Sequence, residues 1–202
     1  LCFHGRRELE AFAARAELGL GDSEFNRREL EEAGFARTAV LPIVLDLDSY
    51  RGPVSSVVRR LYDDGRRNLV FVGRIIPNKR IDDLIRTFSL YQRHCQPHSR
   101  LLLVGDYRGH ERYFDRLREL VASLRLQEGG FPGHGGQGAV LACYSVADLF
   151  LCLSEHEGFC VPLLEAMVFG VPVVAYDAGA VRETLRGGGL LVQDKRPDVV
   201  AE

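Results

Sequence analysis

The sequence predicts an α/β fold, a parallel and doubly wound sheet with helices on both faces. Two observations carry the prediction. From residue 68 onward, short and unbroken apolar runs recur: LVFVG (69–73), LLLVG (101–105), DLFLCLS (148–154), VPVVAY (171–176) and LLV (190–192). Runs without polar alternation belong to strands buried on both faces. Between them apolar residues return at helical spacing, so strands alternate with covering helices in a βαβ series with right-handed crossovers.

In chain order, residues 6–17 (RRELEAFAARAE) and 26–33 (NRRELEEA) read as charge-rich helices, the second stopped by Gly34. A short apolar strand is expected at 40–45. The polar stretch 46–53 ends in the breaker Gly52-Pro53, and a boundary is placed there, dividing 1–50 from a main domain at 51–202. After the first long strand, Ile81, Leu84, Ile85 and Phe88 share one helix face. Phe114, Leu117, Leu120, Val121 and Leu124 share another. Pro162 stands where the first turn of a third helix tolerates it.

The composition removes several classes of protein. With 202 residues, 46% hydrophobic and 27% charged, the chain can bury a full core, which excludes disorder, collagen and a disulfide miniprotein. A formal net charge of −2 supplies no global field for nucleic acid or an anionic membrane, so any anionic ligand must be held locally. Five cysteines, Cys2, Cys95, Cys143, Cys152 and Cys160, include no Cys-x-x-Cys pair and suit free thiols in a reducing, cytoplasmic compartment. The longest apolar stretch, 140–153, is broken by Ser145 and Asp148 and is too short to span a bilayer. The histidines, His94, His98, His134 and His156 among them, show no metal-ligand spacing, so no metal is expected. Leu1 is not a start methionine, and the chain is expected to be a piece of something longer.

In doubly wound sheets, ligands bind outside the carboxyl ends of the strands. That rule selects Gly73-Arg74, Gly105-Asp106, 154–158 and 177–179. In VGRIIPNKRIDDLI (72–85), Arg74 and Lys79 lie five apart across a strand-to-helix turn and can converge on one anion, a diphosphate being the natural guest. Lys79 is one of only two lysines in a chain with 24 arginines. The competing assignment pairs Arg74 with Asp82 or Asp83. In the segment 154–183, Glu157 precedes a helix and Glu165 lies within it, eight residues on, so both can face one cleft. Gly158 and Phe159 bring backbone N–H groups to that helix start, where an anion is favoured. Cys160 lacks a paired base and reads as a packed helix residue rather than a nucleophile. Asp106 and Arg108 fit either the cleft or a turn.

Taken together these residues resemble the retaining nucleotide-sugar glycosyltransferases with two Rossmann-like domains, the GT-B fold. Gly73, Arg74 and Lys79 match the donor domain's strand-Gly-Arg-x4-Lys turn. Glu157 and Glu165 in EGFCVPLLE match its Glu-x7-Glu motif, and Gly170 with the VPVV that follows matches its Gly-x-Pro-Val-Val strand. Further agreement lies in SEFNRRELEEAGF (23–35), LPIVLD (41–46), VGDYRGHERY (104–113) and AGAVRETL (178–185). The resemblance runs colinearly over roughly residues 16–194 and is specific as a set.

The resemblance implies a Rossmann-like donor half with the last piece of an N-terminal acceptor domain at 1–50. It implies an enzyme that transfers a sugar, with retention, from a UDP-, GDP- or ADP-sugar to an acceptor in glycan or polysaccharide biosynthesis. Arg74 and Lys79 then hold the diphosphate and act as electrophilic catalysts, Glu165 accepts from the ribose hydroxyls, and Glu157 touches the sugar. Gly73, Gly105, Gly133, His134, Gly158, Phe159 and Cys160 complete the expected donor site, the base lying near 131–135. No metal or other cofactor is then required. The fragment is expected to be inactive alone, and the full protein to be cytoplasmic or peripheral on the cytoplasmic face of a membrane.

The sequence departs from the family at GGFPGHGGQG (129–138), which is richer in glycine than the usual strand and acidic helix start, and at its truncated acceptor part. Three other readings compete. GHGGQG (133–138) matches a dinucleotide fingerprint but follows no apolar strand. A noncatalytic nucleotide-binding or regulatory module can keep the same fold and site. A glycosidase using Glu157 and Glu165 needs carboxylates facing across a sugar cleft, which a diphosphate site in a parallel sheet disfavours.

Overall fold

The structure, a computed structural model, describes residues 3–126 and 136–202. The chain begins with α1 (Phe3–Ala13), β1 (Gly19–Gly21), α2 (Glu24–Glu32) and β2 (Thr38–Val40). Strands β1 and β2 pair in parallel as a small separate sheet. Helix α1 ends four residues before the expected 17. The strand expected at 40–45 is instead Thr38–Val40, and the reason is local. Leu41 N–H still reaches Gly21 O at 2.8 Å, but Pro42 has no donor to continue the ladder. Beyond it Val44 is 87% exposed.

A 3-10 turn (Leu47–Arg51) leads to α3 (Ser56–Tyr62), β3 (Arg67–Val72), a second 3-10 turn (Pro77–Lys79) and α4 (Ile81–His94). Then follow β4 (Ser99–Val104), α5 (Glu111–Ser123), α6 (Gln137–Ser145), β5 (Leu149–Cys152) and α7 (Val161–Val168). The chain closes through β6 (Val173–Tyr176), α8 (Val181–Leu185), β7 (Leu190–Val192) and α9 (Pro197–Ala201).

The five apolar runs become one parallel sheet in the order β4-β3-β5-β6-β7, with Leu69 opposite both Leu101 and Leu149. From β3 the chain steps outward to β4 and then crosses back to β5 on the other side of β3. The strand order therefore reverses between β3 and β5, and the crevice beyond their carboxyl ends is the place where such sheets bind ligands. Strand β3 starts two residues before its apolar run because the buried Asn68 has its donors engaged. Its N–H donates to Asp148 Oδ2 at 2.8 Å, and its side-chain amide donates to Tyr62 O at 2.9 Å and Val146 O at 2.8 Å.

Helix α4 presents Ile81, Leu84, Ile85 and Phe88 to the sheet, all at 0% exposure. Each such side chain contributes about 1.5–3 kcal/mol when fully buried. On α5 the predicted face packs less completely, with Leu117 at 1% and Phe114, Leu120, Val121 and Leu124 partly covered. Aromatic rings fill the space around β5, where Phe71 and Tyr144 stack on Phe150 at centroid distances of 6.4 and 6.1 Å. No helix among the described residues is long and apolar enough to cross a membrane.

Helix α4 is started in an unusual way. Its first flanking residue, Arg80, is in the left-handed conformation (φ 49°) and offers no side-chain cap. Tyr113 on α5 does that work, its hydroxyl accepting from Ile81 N–H at 3.1 Å and donating to Asp82 Oδ1 at 3.2 Å. Burial, and then the Asp82 charge, push the phenol up to about 12. Tyr113→Phe leaves a buried N–H unpaired and is expected to cost about 1–3 kcal/mol in denaturant unfolding at neutral pH. Because the folded-state pKa is raised, this contribution is fully present below pH ~10 and fades as pH rises through ~12. A Tyr113→Phe chain as stable as the native one at pH 7 would remove Tyr113 as the cap of α4.

Candidate functional site

The site is assembled where the loops after β3 and β5 meet. Strand β3 stays locked to β4 past its end, with Gly73 N–H on Val104 O at 2.9 Å and Ile75 N–H on Asp106 O at 2.8 Å. Gly105 is required there, since a Cβ on it would stand 1.7 Å from Gly73 O. The chain then turns through Pro77–Lys79, and Glu155 N–H donates to Asn78 O at 2.9 Å, so the two loops are fastened by backbone.

Across that junction Lys79 Nζ donates to both oxygens of Glu157, each at 2.7 Å. Glu157 is 5% exposed, and a buried carboxylate needs such a partner. The sequence placed Lys79 and Glu157 on different parts of a ligand and did not foresee their pairing. Arg74 is exposed and makes no side-chain hydrogen bond or ion pair among the described residues. The competing assignment of Arg74 to Asp82 or Asp83 is overturned, because Arg80 holds both, at 3.2 and 3.0 Å. The second lysine, Lys195, reaches Glu155 at 2.8 Å and Asp83 at 3.7 Å. Both lysines of the chain thus end on the loop that carries Glu155 and Glu157.

That loop is held from behind. Gly179 has φ +60°, a Cβ on it would lie 2.3 Å from Glu157 O, and Ala180 N–H donates to the same oxygen at 2.9 Å. The Thr184 hydroxyl donates to Phe159 O, and the Ser23 hydroxyl to Gly158 O at 2.7 Å. Cys160 is not a helix residue as expected but the residue that precedes α7, in the left-handed conformation with φ 64°. Its thiol is pushed up by a hydrogen bond with Cys152 and by burial. Pro162 occupies the first turn of α7, as predicted.

Two elements bring phenols to Glu165. Tyr50, in the first 3-10 turn, donates to Oε1 at 3.0 Å, and Tyr144 of α6 donates to Oε2 at 2.8 Å. Burial and the Glu165 charge hold Tyr50 up at about 12 and push Tyr144 well above the ordinary tyrosine value. Neither tyrosine was foreseen, since separations of 115 and 21 residues leave no local spacing to read. Cys152 was also missed as a neighbour of Glu157; its Sγ lies 3.8 Å from Oε1. His156 turns away toward α2, its Nε2 3.4 Å from Glu29 Oε1, beside a cavity of about 430 Å³. Asp106 accepts from the Arg108 N–H at 3.0 Å and side chain at 2.6 Å, a turn arrangement. Gly133 and His134 lie outside the described residues.

Comparison with known proteins gives the family. The family model for glycosyl transferases group 1 matches residues 59–202. The chain belongs to this family. It is 33% identical over 150 residues to a GDP-mannose-dependent alpha-mannosyltransferase of Mycobacterium tuberculosis, covering 71% of the chain and 36% of that protein. It is 32% identical over 196 residues to a D-inositol 3-phosphate glycosyltransferase of Nocardia farcinica, covering 94% and 44%. The chain therefore spans less than half the length of these curated relatives. Among solved structures, Anabaena Alr3699/HepE in complex with UDP and glucose superposes with a TM-score of 0.85 at 23% identity, over 100% of this chain and 56% of that one. Sucrose-phosphate synthase from Thermosynechococcus elongatus gives 0.82 at 23% identity, over 97% and 50%. These two likenesses show the fold, a glycosyltransferase α/β domain of the GT-B type.

The support of Glu157 by Gly179 can be measured against a second left-handed glycine. Gly170 has φ +69° with nothing within 4 Å of an added Cβ, so Gly170→Ala should cost only the backbone term, about 1 kcal/mol. Gly179→Ala adds the collision with Glu157 O and should lower Tm clearly further. Equal losses in the two variants would show that the loop yields freely at that contact.

Proposed function

We propose that this chain is the donor-binding half of a glycosyltransferase, holding a nucleoside diphosphate sugar at the carboxyl ends of β3 and β5. The observation that carries the reading is the pair of cations on the turn after β3. Arg74 is exposed with no partner of its own among the described residues, and Lys79, five residues on, is held by the buried Glu157. Phosphate oxygens suit such cations, and the vicinal hydroxyls of a ribose suit the Glu165 carboxylate. As the glycosidic bond breaks, the departing nucleoside diphosphate gathers negative charge. Arg74 and Lys79 oppose that charge most strongly at the transition state, so the neutralisation comes from side chains. Glu157 shares its ammonium partner with the phosphate and faces the sugar that is transferred.

Relatives named for GDP-mannose and a neighbour crystallised with UDP and glucose support a nucleotide-sugar donor as a class. Retention of configuration, and a product in glycan or polysaccharide biosynthesis, follow from the family resemblance. In this reading residues 1–50 belong to the acceptor domain, whose remainder is needed for turnover, and this chain binds donor without transferring sugar.

Calorimetry with UDP, GDP and ADP, each beside its nucleoside, tests the phosphate assignment. One diphosphate should bind and its nucleoside should bind far more weakly; equal affinities would sink the reading. Arg74→Ala should lose about 1.5–3 kcal/mol of that affinity with Tm unchanged, since Arg74 has no side-chain partner among the described residues. Lys79→Ala should behave differently, because it strands a buried carboxylate. Its stability loss should approach the 3–5 kcal/mol of a broken buried pair, and adding Glu157→Gln should recover part of it.

A further inference from the structure

Glu157 has a second set of neighbours besides Lys79, the thiols of Cys152 and Cys160. The Sγ atoms of Cys152 and Cys160 and a carboxylate oxygen of Glu157 all lie within 4.8 Å of one another. Cys152, the last residue of β5, is 1% exposed, and its Sγ lies 3.3 Å from Ser154 Oγ and 3.8 Å from Glu157 Oε1. Tetrahedral zinc, with Zn–S of about 2.3 Å and Zn–O of about 2.1 Å, sets such sulfur and oxygen ligands about 3.6 Å apart. The pair is therefore already near ligand spacing. Among the described residues no other group of three or more His, Cys, Asp or Glu side chains converges in this way.

The backbone at Cys160 points the same way. A φ of 64° is a conformation that glycine adopts freely and a residue with a Cβ does not. The thiol does not compensate by capping α7, whose start has no side-chain hydrogen bond. It is turned instead to Cys152 and Glu157, although the residue as a whole is only partly buried.

We propose that Cys152, Glu157 and Cys160 form a binding site for one soft divalent cation of the zinc class, with a fourth position open to water. Each thiol gives up its proton to solvent as its sulfur ligates, and the carboxylate joins without change of charge. Two thiolates and a carboxylate then balance the ion together with the Lys79 ammonium, so the buried cluster stays neutral as it is without the ion. Thiolate ligands select zinc over magnesium or calcium, which prefer oxygen. The site does not rest on the donor reading, because the ion is measured with no nucleotide present.

The test is direct zinc binding to the 202-residue chain, kept reduced with a phosphine, in competition with a chromogenic chelator. One ion per chain is expected, unaffected by excess magnesium, and cobalt in its place should give thiolate-to-cobalt charge-transfer absorption. Cys160→Gly removes one ligand while relieving the left-handed backbone, so the variant should fold at least as stably as the native chain. Loss of a direct ligand should weaken zinc binding by more than the roughly 10–100-fold typical of outer-sphere changes. Cys152→Ala should do the same, and Cys95→Ala, at an exposed thiol, should change nothing. Zinc should raise Tm in the native chain and not in Cys160→Gly. Native-like zinc affinity in Cys160→Gly, or no stoichiometric zinc in the folded native chain, would overturn the site.

Discussion

A carboxylate that is only 5% exposed cannot stand without a counter-charge, and the pairing of Glu157 with Lys79 is the interaction around which the cleft is arranged. Taking both ions out of water costs several kcal/mol each, and their attraction offsets this only when the geometry is fixed. The fold fixes it from three directions. The loop after β3 is pinned to β4, the loop after β5 is bonded to it through Glu155 N–H and Asn78 O, and Gly179 and Ala180 close on the Glu157 carbonyl. The second of these crosses the reversal of strand order beside β3, where two loops face each other. As a contribution to stability the pair is modest. As a constraint on where a cation and a carboxylate stand, it is strong.

What the sequence reveals of the fold follows from how each element is buried. Strands covered on both faces must be apolar throughout, so β3 to β7 are legible as runs. Their edges are less so, because Asn68 is polar yet buried, and two of the bonds its N–H groups donate reach 78 and 80 residues along the chain, where no local pattern encodes them. Helix α6 has Leu141, Ala142, Cys143 and Tyr144 all buried, which erases the 3.6-residue alternation that marks a surface helix. Strand β1 is Gly-Leu-Gly, with neither length nor β-branched residues to announce it. The site shows the same division. Arg74, Lys79, Glu157 and Glu165 are legible through motif spacing, whereas the bond between Lys79 and Glu157 spans 78 residues and appears only once the sheet is ordered.

The rarity of lysine in this chain acquires a physical meaning from where the two lysines end. Lys79 and Lys195 both meet carboxylates of one short loop, at 2.7 and 2.8 Å, with side chains 19% and 24% exposed. A compact ammonium can place one nitrogen equally on both oxygens of a carboxylate in a narrow space, while a guanidinium needs a planar face to do so. The arginines nearby are used where that face exists. Arg80 spreads over Asp82, Asp83 and Glu155 at the mouth of α4.

Glu165 shows how a structural partner and a ligand can share one carboxylate. Its oxygens offer about four acceptor positions. Tyr144 takes one on Oε2 from the core side, and Tyr50 takes one on Oε1 from the segment that precedes the main sheet. Both phenols are held well above their ordinary pKa, so at neutral pH they act only as donors to Glu165 and keep its orientation fixed. Two acceptor positions remain, one on each oxygen, which is the number that a vicinal diol requires. On the donor-site reading, the ribose therefore meets a carboxylate whose orientation is already set on both sides. Part of that setting comes from Tyr50, outside the strand-and-helix series that forms the sheet. On the same reading, the segment before residue 51 contributes to the donor site through Tyr50.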